Sequence, residues 1–223
     1  FALEQRYGVK NIGEHPVYSD FEVDTGRNKK PYKIAIRDRT ISSHFCSCPD
    51  FAINTLGTSK HIDYVIHSLK KKKITAQMFR DSYVPPYSSI FLRYGAERKV
   101  IVKIGSIEAA ALKNLATHYF DTHNVLRDTA FDHFEDFVEK AIKLDPQLRC
   151  YKDALDYIVD IRDARKRKEL IEWKYPEGKD SPEFLSLLKT ELYPYQKEAA
   201  LFAAKAGRCI IADEMGLGKT LEA

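Results

Sequence analysis

Apolar residues divide the chain into short alternating stretches and longer helical ones. Val17, Tyr18, Phe21 and Val23 follow a partial two-residue period, and Tyr32, Ile34 and Ile36 alternate cleanly. The polar turn between them, Asp24 to Lys30, is centred on Gly26, so the pair predicts a β-hairpin. A third short strand is expected over His44 to Cys48, followed by a loop containing Pro49 and Gly57. From Lys60 the period changes. Ile62, Val65, Ile66 and Leu69 fall on one face of a helix that runs into Lys70, Lys71, Lys72 and Lys73. Cations at a helix C-terminus suit its dipole.

Ser82 to Ser89 contains Pro85-Pro86 and reads as a turn or linker. Ile90 to Tyr94 and Lys99 to Ile104 predict a second hairpin across Gly95 to Arg98. Three helices follow. The first has Ser106 as its N-cap and Leu112, Leu115 and Tyr119 at helical spacing. The second carries Phe131, Phe134, Val138, Ala141 and Ile142 and stops before Pro146. The third starts near Tyr151, carries Leu155, Ile158 and Ile161, and turns basic from Arg162 to Lys168. Gly178 to Pro182 is a boundary, and Cys209-Ile210-Ile211-Ala212 has the pattern of a short buried strand. The fold class expected is α+β.

The chain has 223 residues, enough for one to two domains and for a core that needs no staples. With 44% hydrophobic and 12% aromatic residues it is not a disordered sequence. No apolar run approaches the ~18 residues of a membrane helix, and no membrane partner is expected. Phe1 to Tyr7 carry Glu4 and Arg6, which does not fit a secretory signal. The net charge of +4 permits nucleic-acid binding without arguing for it. The 4 cysteines do not make a disulfide scaffold. Cys46 and Cys48 sit one residue apart, a spacing poor for bridging each other but suited to sharing a metal. We expect a reducing, intracellular setting, with Cys150 and Cys209 as small packing residues. No Ser-His-Asp or Cys-His arrangement supports a nucleophile. His118, His123 and His133 read as ordinary surface or core histidines.

After the strand pattern at Cys209–Ala212 comes Asp213-Glu214-Met215-Gly216-Leu217-Gly218-Lys219-Thr220. Gly216 and Gly218 let backbone N–H groups crowd around phosphate oxygens. Lys219 would reach the β and γ phosphates and the Thr220 hydroxyl would ligate Mg²⁺. The general pattern places Gly where this chain has Asp213. Upstream lies Leu192-Tyr193-Pro194-Tyr195-Gln196, then a helix with Ala199, Ala200, Phe202 and Ala203. This block, about Leu185 to Ala223, resembles the start of the motor in Swi/Snf-type ATPases of helicase superfamily two. That family has Asp at the Asp213 position, and often Gly where Ala199 stands here. The resemblance implies that Gln196 contacts adenine, that Gly216, Gly218, Lys219 and Thr220 hold phosphates and Mg²⁺, and that the whole protein is an ATP-driven translocase on double-stranded DNA. A chain that begins without Met and stops just after a phosphate loop is expected to be a piece of a longer one. Without an acidic box and a second lobe it contains no catalytic residues, and we expect no ATP hydrolysis from it alone.

Cys46-Ser47-Cys48-Pro49-Asp50-Phe51 and then Lys60-His61 resemble the SWIM zinc finger, a strand-strand-helix module with ligands Cys-x-Cys and Cys-x-His. The resemblance covers about residues 15–73 and occurs together with Swi/Snf-type motors in bacterial proteins. It implies zinc on Cys46, Cys48 and His61. Ser59 stands where the family has its remaining Cys, and a serine hydroxyl is a poor zinc ligand. Water, Asp50, His44 or His67 is the alternative fourth ligand. The other reading is a metal-free degenerate finger cored by Phe21, Phe45, Phe51 and Tyr64. A catalytic zinc is disfavoured, because no general base stands beside the ligands.

These readings combine into three segments: a SWIM-like ββα unit over 1–73, a hairpin plus helical accessory segment over 74–182, and the truncated start of a RecA-like helicase lobe over 183–223. The chain is then the accessory and regulatory region of a remodeller, nucleoid-associated in a bacterial cytoplasm or nuclear in a eukaryote. Lys70, Lys71, Lys72 and Lys73, with Arg165, Lys166, Arg167 and Lys168, could grip DNA phosphates or be solvated helix ends; Tyr83, Tyr87 and Tyr94 could stack on bases but read rather as core or linker packing. The alternative is a module that binds other proteins or inhibits its own motor lobes. ATP and Mg²⁺ belong to the complete protein.

Overall fold

The computed structural model describes residues 7–26, 30–54, 56–81, 83–187, 189–213 and 217. The fold is α+β, and the chain divides into two compact units, Phe1–Leu155 and Asp156–Ala223.

The first unit opens on an antiparallel sheet of β1 (Gly8–Asn11), β2 (Asp20–Asp24), β3 (Tyr32–Ala35) and β4 (Phe45–Cys46), in that spatial order. The register pairs Phe21 with Ile34 and Ile34 with Cys46. Period-two alternation therefore puts Phe21, Val23, Ile34 and Cys46 into the core. Three helices follow: α1 (Pro49–Ile53), α2 (Lys60–Lys71) and α3 (Lys73–Arg80). α2 buries Ile62, Val65 and Leu69 in the same core, as its spacing predicts. The tetralysine is not a frayed tail. Lys72 closes α2 and opens α3, and the Thr75 hydroxyl donates to the Leu69 carbonyl, fastening the joint.

A second sheet holds β5 (Ser89–Arg93) and β6 (Lys99–Lys103), the expected hairpin. α4 (Ala109–Tyr119) and α5 (Phe134–Leu144) follow, then the short β7 (Arg149–Cys150), which runs parallel to β5 and completes the sheet. Phe120 and Phe137 meet edge to face, with ring centres 5.0 Å apart. Ser106 does not cap α4. Ser106 and Ile107 donate their backbone N–H groups to the carbonyls of Pro85 and Pro86, so the helix begins only at Ala109. At the same end of the hairpin, buried Asp145 accepts from the Ser88 N–H at 2.7 Å.

The two sheets are joined through Arg37 and Asp153. Asp153 lies in the first turn of α6 (Lys152–Lys174). The guanidinium makes two parallel bonds to the carboxylate, at 2.7 and 2.8 Å, and lies 4.1 Å from the centre of the Tyr151 ring. Tyr94 donates its hydroxyl to the same carboxylate at 2.6 Å. Buried ions demand this degree of pairing.

In the second unit, the rest of α6 is followed by α7 (Pro182–Leu185) and α8 (Pro194–Ala206). Its core is a small cluster of Tyr175, Phe184 and Leu201. Arg167 donates to the carbonyls of Lys205 and Ala206 at 3.2 and 3.3 Å and so caps α8. Gly207 follows at φ +73°, and a Cβ there would collide with that guanidinium. Glycine satisfies both the left-handed backbone and the close approach. The strand expected over Cys209–Ala212 is not formed. Ile210 is 90% exposed and Cys209 is exposed as well, not packed. A buried-strand pattern becomes a strand only when a neighbour supplies hydrogen bonds and cover, and no described strand pairs with it.

Candidate functional site

Three local structures converge on one point. Cys46 ends β4. Cys48 is the N-cap of α1, where its Sγ accepts from the Phe51 N–H at 3.4 Å and Pro49 takes the first helical position. His61 lies in the first turn of α2, which is capped by Ser59. Ser47 sets the orientation of the two cysteines. Its N–H donates to the Lys33 carbonyl and its Oγ accepts from the Lys33 N–H, both at 2.9 Å. Locking Ser47 outward against β3 turns its two neighbours to the opposite face.

The ligand atoms of Cys46, Cys48 and His61 lie within 4.8 Å of one another, and Cys46 Sγ is 3.8 Å from His61 Nδ1. All three residues are buried. Bond lengths to tetrahedral zinc of about 2.0–2.3 Å imply ligand separations of roughly 3.3–3.8 Å, so the donors are close to their working positions. The imidazole packs against two tyrosines, with ring-centre distances of 5.4 Å to Tyr7 and 4.6 Å to Tyr32. Burial pushes the Cys46 thiol up, partly countered by a hydrogen bond from Ser59. Burial, then the neighbouring Lys60, pulls the His61 imidazole down. Both groups are therefore held neutral. Neutral imidazole is the form that ligates, whereas the thiols must give up protons to a metal. This group could hold a metal ion.

The other expected ligands are not brought to the group. His44 is buried elsewhere, with its Nδ1 accepting from the Arg37 N–H at 3.4 Å, and burial lowers its pKa to about 4. His67 lies six residues along α2 from His61, on another face of the helix. Asp50 is exposed and accepts from Asn54 at 3.4 Å. Ser59 stays adjacent, but its Oγ accepts from the Ile62 N–H at 3.4 Å as a helix cap. A fully competent set thus has three donors, all of them soft or borderline, which suits zinc better than a hard cation.

Of the residues expected to bind ATP, Gly216, Gly218, Lys219 and Thr220 lie outside the described residues. Gln196 is buried on α8, and its amide is already engaged. Its Oε1 accepts from the Tyr193 N–H at 3.0 Å, and its Nε2 donates to the Leu217 carbonyl at 2.9 Å. Tyr195 donates its hydroxyl to that carbonyl too. Lys70, Lys71, Lys72 and Lys73 are exposed where α2 meets α3. Lys166 and Lys168 are exposed on α6, Arg165 is half-buried, and Arg167 is occupied with the cap on α8. His118, His123 and His133 are exposed. The roles of Ser47 and Tyr32 were not foreseen. Their signal was present, since Ser47 lies between the two cysteines and Tyr32 on the strand that pairs with β4.

No family model matches the chain, and no solved structure matches it. A 37-residue stretch is 57% identical to the DNA annealing helicase and endonuclease ZRANB3 of Mus musculus and, equally, of Homo sapiens. The stretch is 16% of this chain, and it spans 4% of the mouse protein and 3% of the human one. The same protein of Bos taurus is 54% identical over 37 residues.

Proposed function

We propose that this chain is an accessory region joined to the start of the ATP-binding lobe of a Swi/Snf-type, DNA-dependent translocase. The observation that carries the reading is the 37-residue similarity to a protein named as a DNA helicase. It agrees with the sequence Asp213–Thr220 and its upstream Tyr193-Pro194-Tyr195-Gln196. On this reading Gln196, Gly216, Gly218, Lys219 and Thr220 bind ATP and its Mg²⁺ in the complete protein. The region alone turns over no ATP, because phosphoryl transfer needs a water-positioning acid and an arginine from further elements.

The unit over 1–73 is a SWIM-like finger in which Cys46, Cys48 and His61 hold zinc and water completes the sphere in place of the Ser59 hydroxyl. When bound, the metal supplies a cross-link between β4, α1 and α2. Segment 74–182 is its accessory segment, and the exposed lysines of each unit, Lys70–Lys73 in the first and Lys166 and Lys168 in the second, engage the DNA backbone. In the other reading the region binds protein and the finger is metal-free, and the capping role of Ser59 favours that second part.

Titration of the chain onto a blunt duplex across a salt series separates the two. Neutralising about three to four phosphates gives a log–log slope of roughly −3 to −4. No binding even at low salt removes the DNA role and leaves a protein partner.

A further inference from the structure

The cleft that α2 and α3 form with the 3-10 turn Ile41–Ser43 has no part in the metal group or in the ATP motif. Its volume is about 700 Å³, within the range of small-molecule sites. Two helical stripes build it. Asp63, Ile66, His67 and Lys70 stand three, four and seven residues along one face of α2, and Ala76, Phe79 and Arg80 are spaced by three and four on α3. Only Lys72 separates the helices, so both stripes face the same space.

The lining is chemically divided. Arg39, Lys70 and Arg80 bring three cations against one carboxylate, and that carboxylate, on Asp63, already accepts from the Thr58 hydroxyl at 3.0 Å. Ile66 and Phe79 supply an apolar, aromatic wall. Phe79 is fixed from behind by Tyr18, which meets it edge to face at 6.1 Å. A bare anion site does not need that wall, and an apolar ligand does not need the cations. A ligand with a flat ring and a phosphate a few ångströms away uses both: the ring stacks on an aromatic face while guanidinium and ammonium groups take the phosphate. Buried His44 adds a polar wall. Its Nδ1 is occupied as an acceptor, which leaves the proton of the neutral ring on Nε2.

We propose that this cleft binds a nucleoside monophosphate unit, with the base against Phe79 and Ile66 and the phosphate on Lys70, Arg80 and Arg39. The same chemistry comes from two sources, a free nucleotide or the phosphorylated end of a strand. The cleft shares Lys70 with the duplex-binding reading but does not rest on it, since it takes a single nucleotide.

The test uses the full chain carrying Lys219→Ala, so that the phosphate loop does not contribute. Adenosine monophosphate, adenosine, inorganic phosphate and a ten-nucleotide single strand with or without a 5′-phosphate are each titrated and followed by amide chemical shifts. Adenosine monophosphate is expected to bind with a Kd of about 0.1–1 mM, to shift the amides of His67, Lys70, Phe79 and Arg80, and to bind about tenfold more tightly than adenosine or phosphate. Lys70→Glu with Arg80→Glu, both at exposed positions, weakens it about tenfold or more while distant amides stay unmoved. A further gain for the 5′-phosphorylated strand assigns the site to strand ends, and the reverse order assigns it to free nucleotide. The proposal is overturned if the nucleotide binds no better than inorganic phosphate, if its shifts fall outside the cleft, or if the double variant binds as the parent does.

Discussion

The two units differ in how much of their sequence pattern is redeemed by partners. In the first, every strand pattern finds a neighbour. Phe21, Ile34 and Cys46 share one core with Phe51, Ile62 and Val65, and the candidate metal donors sit inside it. In the second, the buried cluster among the described residues is Tyr175, Phe184 and Leu201 at 8–9% exposure, and Leu187, Phe202 and Ile210 are 58%, 62% and 90% exposed. An apolar pattern states what a segment needs, and the surrounding structure decides whether it is met. The three candidate donors of the first unit are therefore brought together inside one core, while the strand pattern before the phosphate loop in the second is left uncovered.

The largest effect should separate the units directly. Phe21→Ala removes a ring that is 2% exposed and should cost about 3–5 kcal/mol. Phe184→Ala removes one at 8% in a thin cluster and should cost less than about 3 kcal/mol. Urea unfolding followed by hydrogen exchange, read unit by unit, measures both; equal losses would dissolve the contrast. Asp153→Ala should rival Phe21→Ala, at about 3–5 kcal/mol, because it strands the buried Arg37 guanidinium.

Acid should act next. The folded pKa of His44, about 4, lies below the ordinary 6.5 because burial, then Arg37 and Lys103, disfavour its charge, against the opposing pull of Asp38. The unfolded chain then binds the proton first. Stability is full above pH 6.5 and falls as pH drops from there toward 4, by up to about 3 kcal/mol. With a chelator present to silence the metal ligands, His44→Gln should flatten this slope in the first unit. An unchanged slope would place the acid sensitivity elsewhere. The smallest effect belongs to the second unit. Arg167→Ala removes a half-exposed cap and should cost about 1 kcal/mol, seen as faster amide exchange at the end of α8.

Much of the fold was legible because its elements are local. The alternation at Tyr32, Ile34 and Ile36 and the spacing of Ile62, Val65, Ile66 and Leu69 name β3 and α2 by themselves. β7 was not legible, since two residues carry no period and their pairing with β5 is set some sixty positions away. α1 was missed although Cys48 and Pro49 form a cap and a first helical position, because its five residues are too few to show a period. The α4 start was misplaced because tertiary bonds to Pro85 and Pro86 outcompete a local serine cap. For the site, the Cys-x-Cys spacing and His61 were readable, but the exclusion of His67 depends on where α2 points its later turns and that of His44 on its tertiary bond to the Arg37 N–H.

The most direct test is the zinc content of the chain after gentle purification, with Ser59→Cys beside it. About one equivalent in the parent, lost on Cys46→Ser and held at least tenfold more tightly by Ser59→Cys, is the expected result for a three-donor site one thiolate short of closure. Fewer than about 0.2 equivalents in the parent, with no uptake on adding zinc, would contradict it and leave the first unit a finger held by its aromatic core alone.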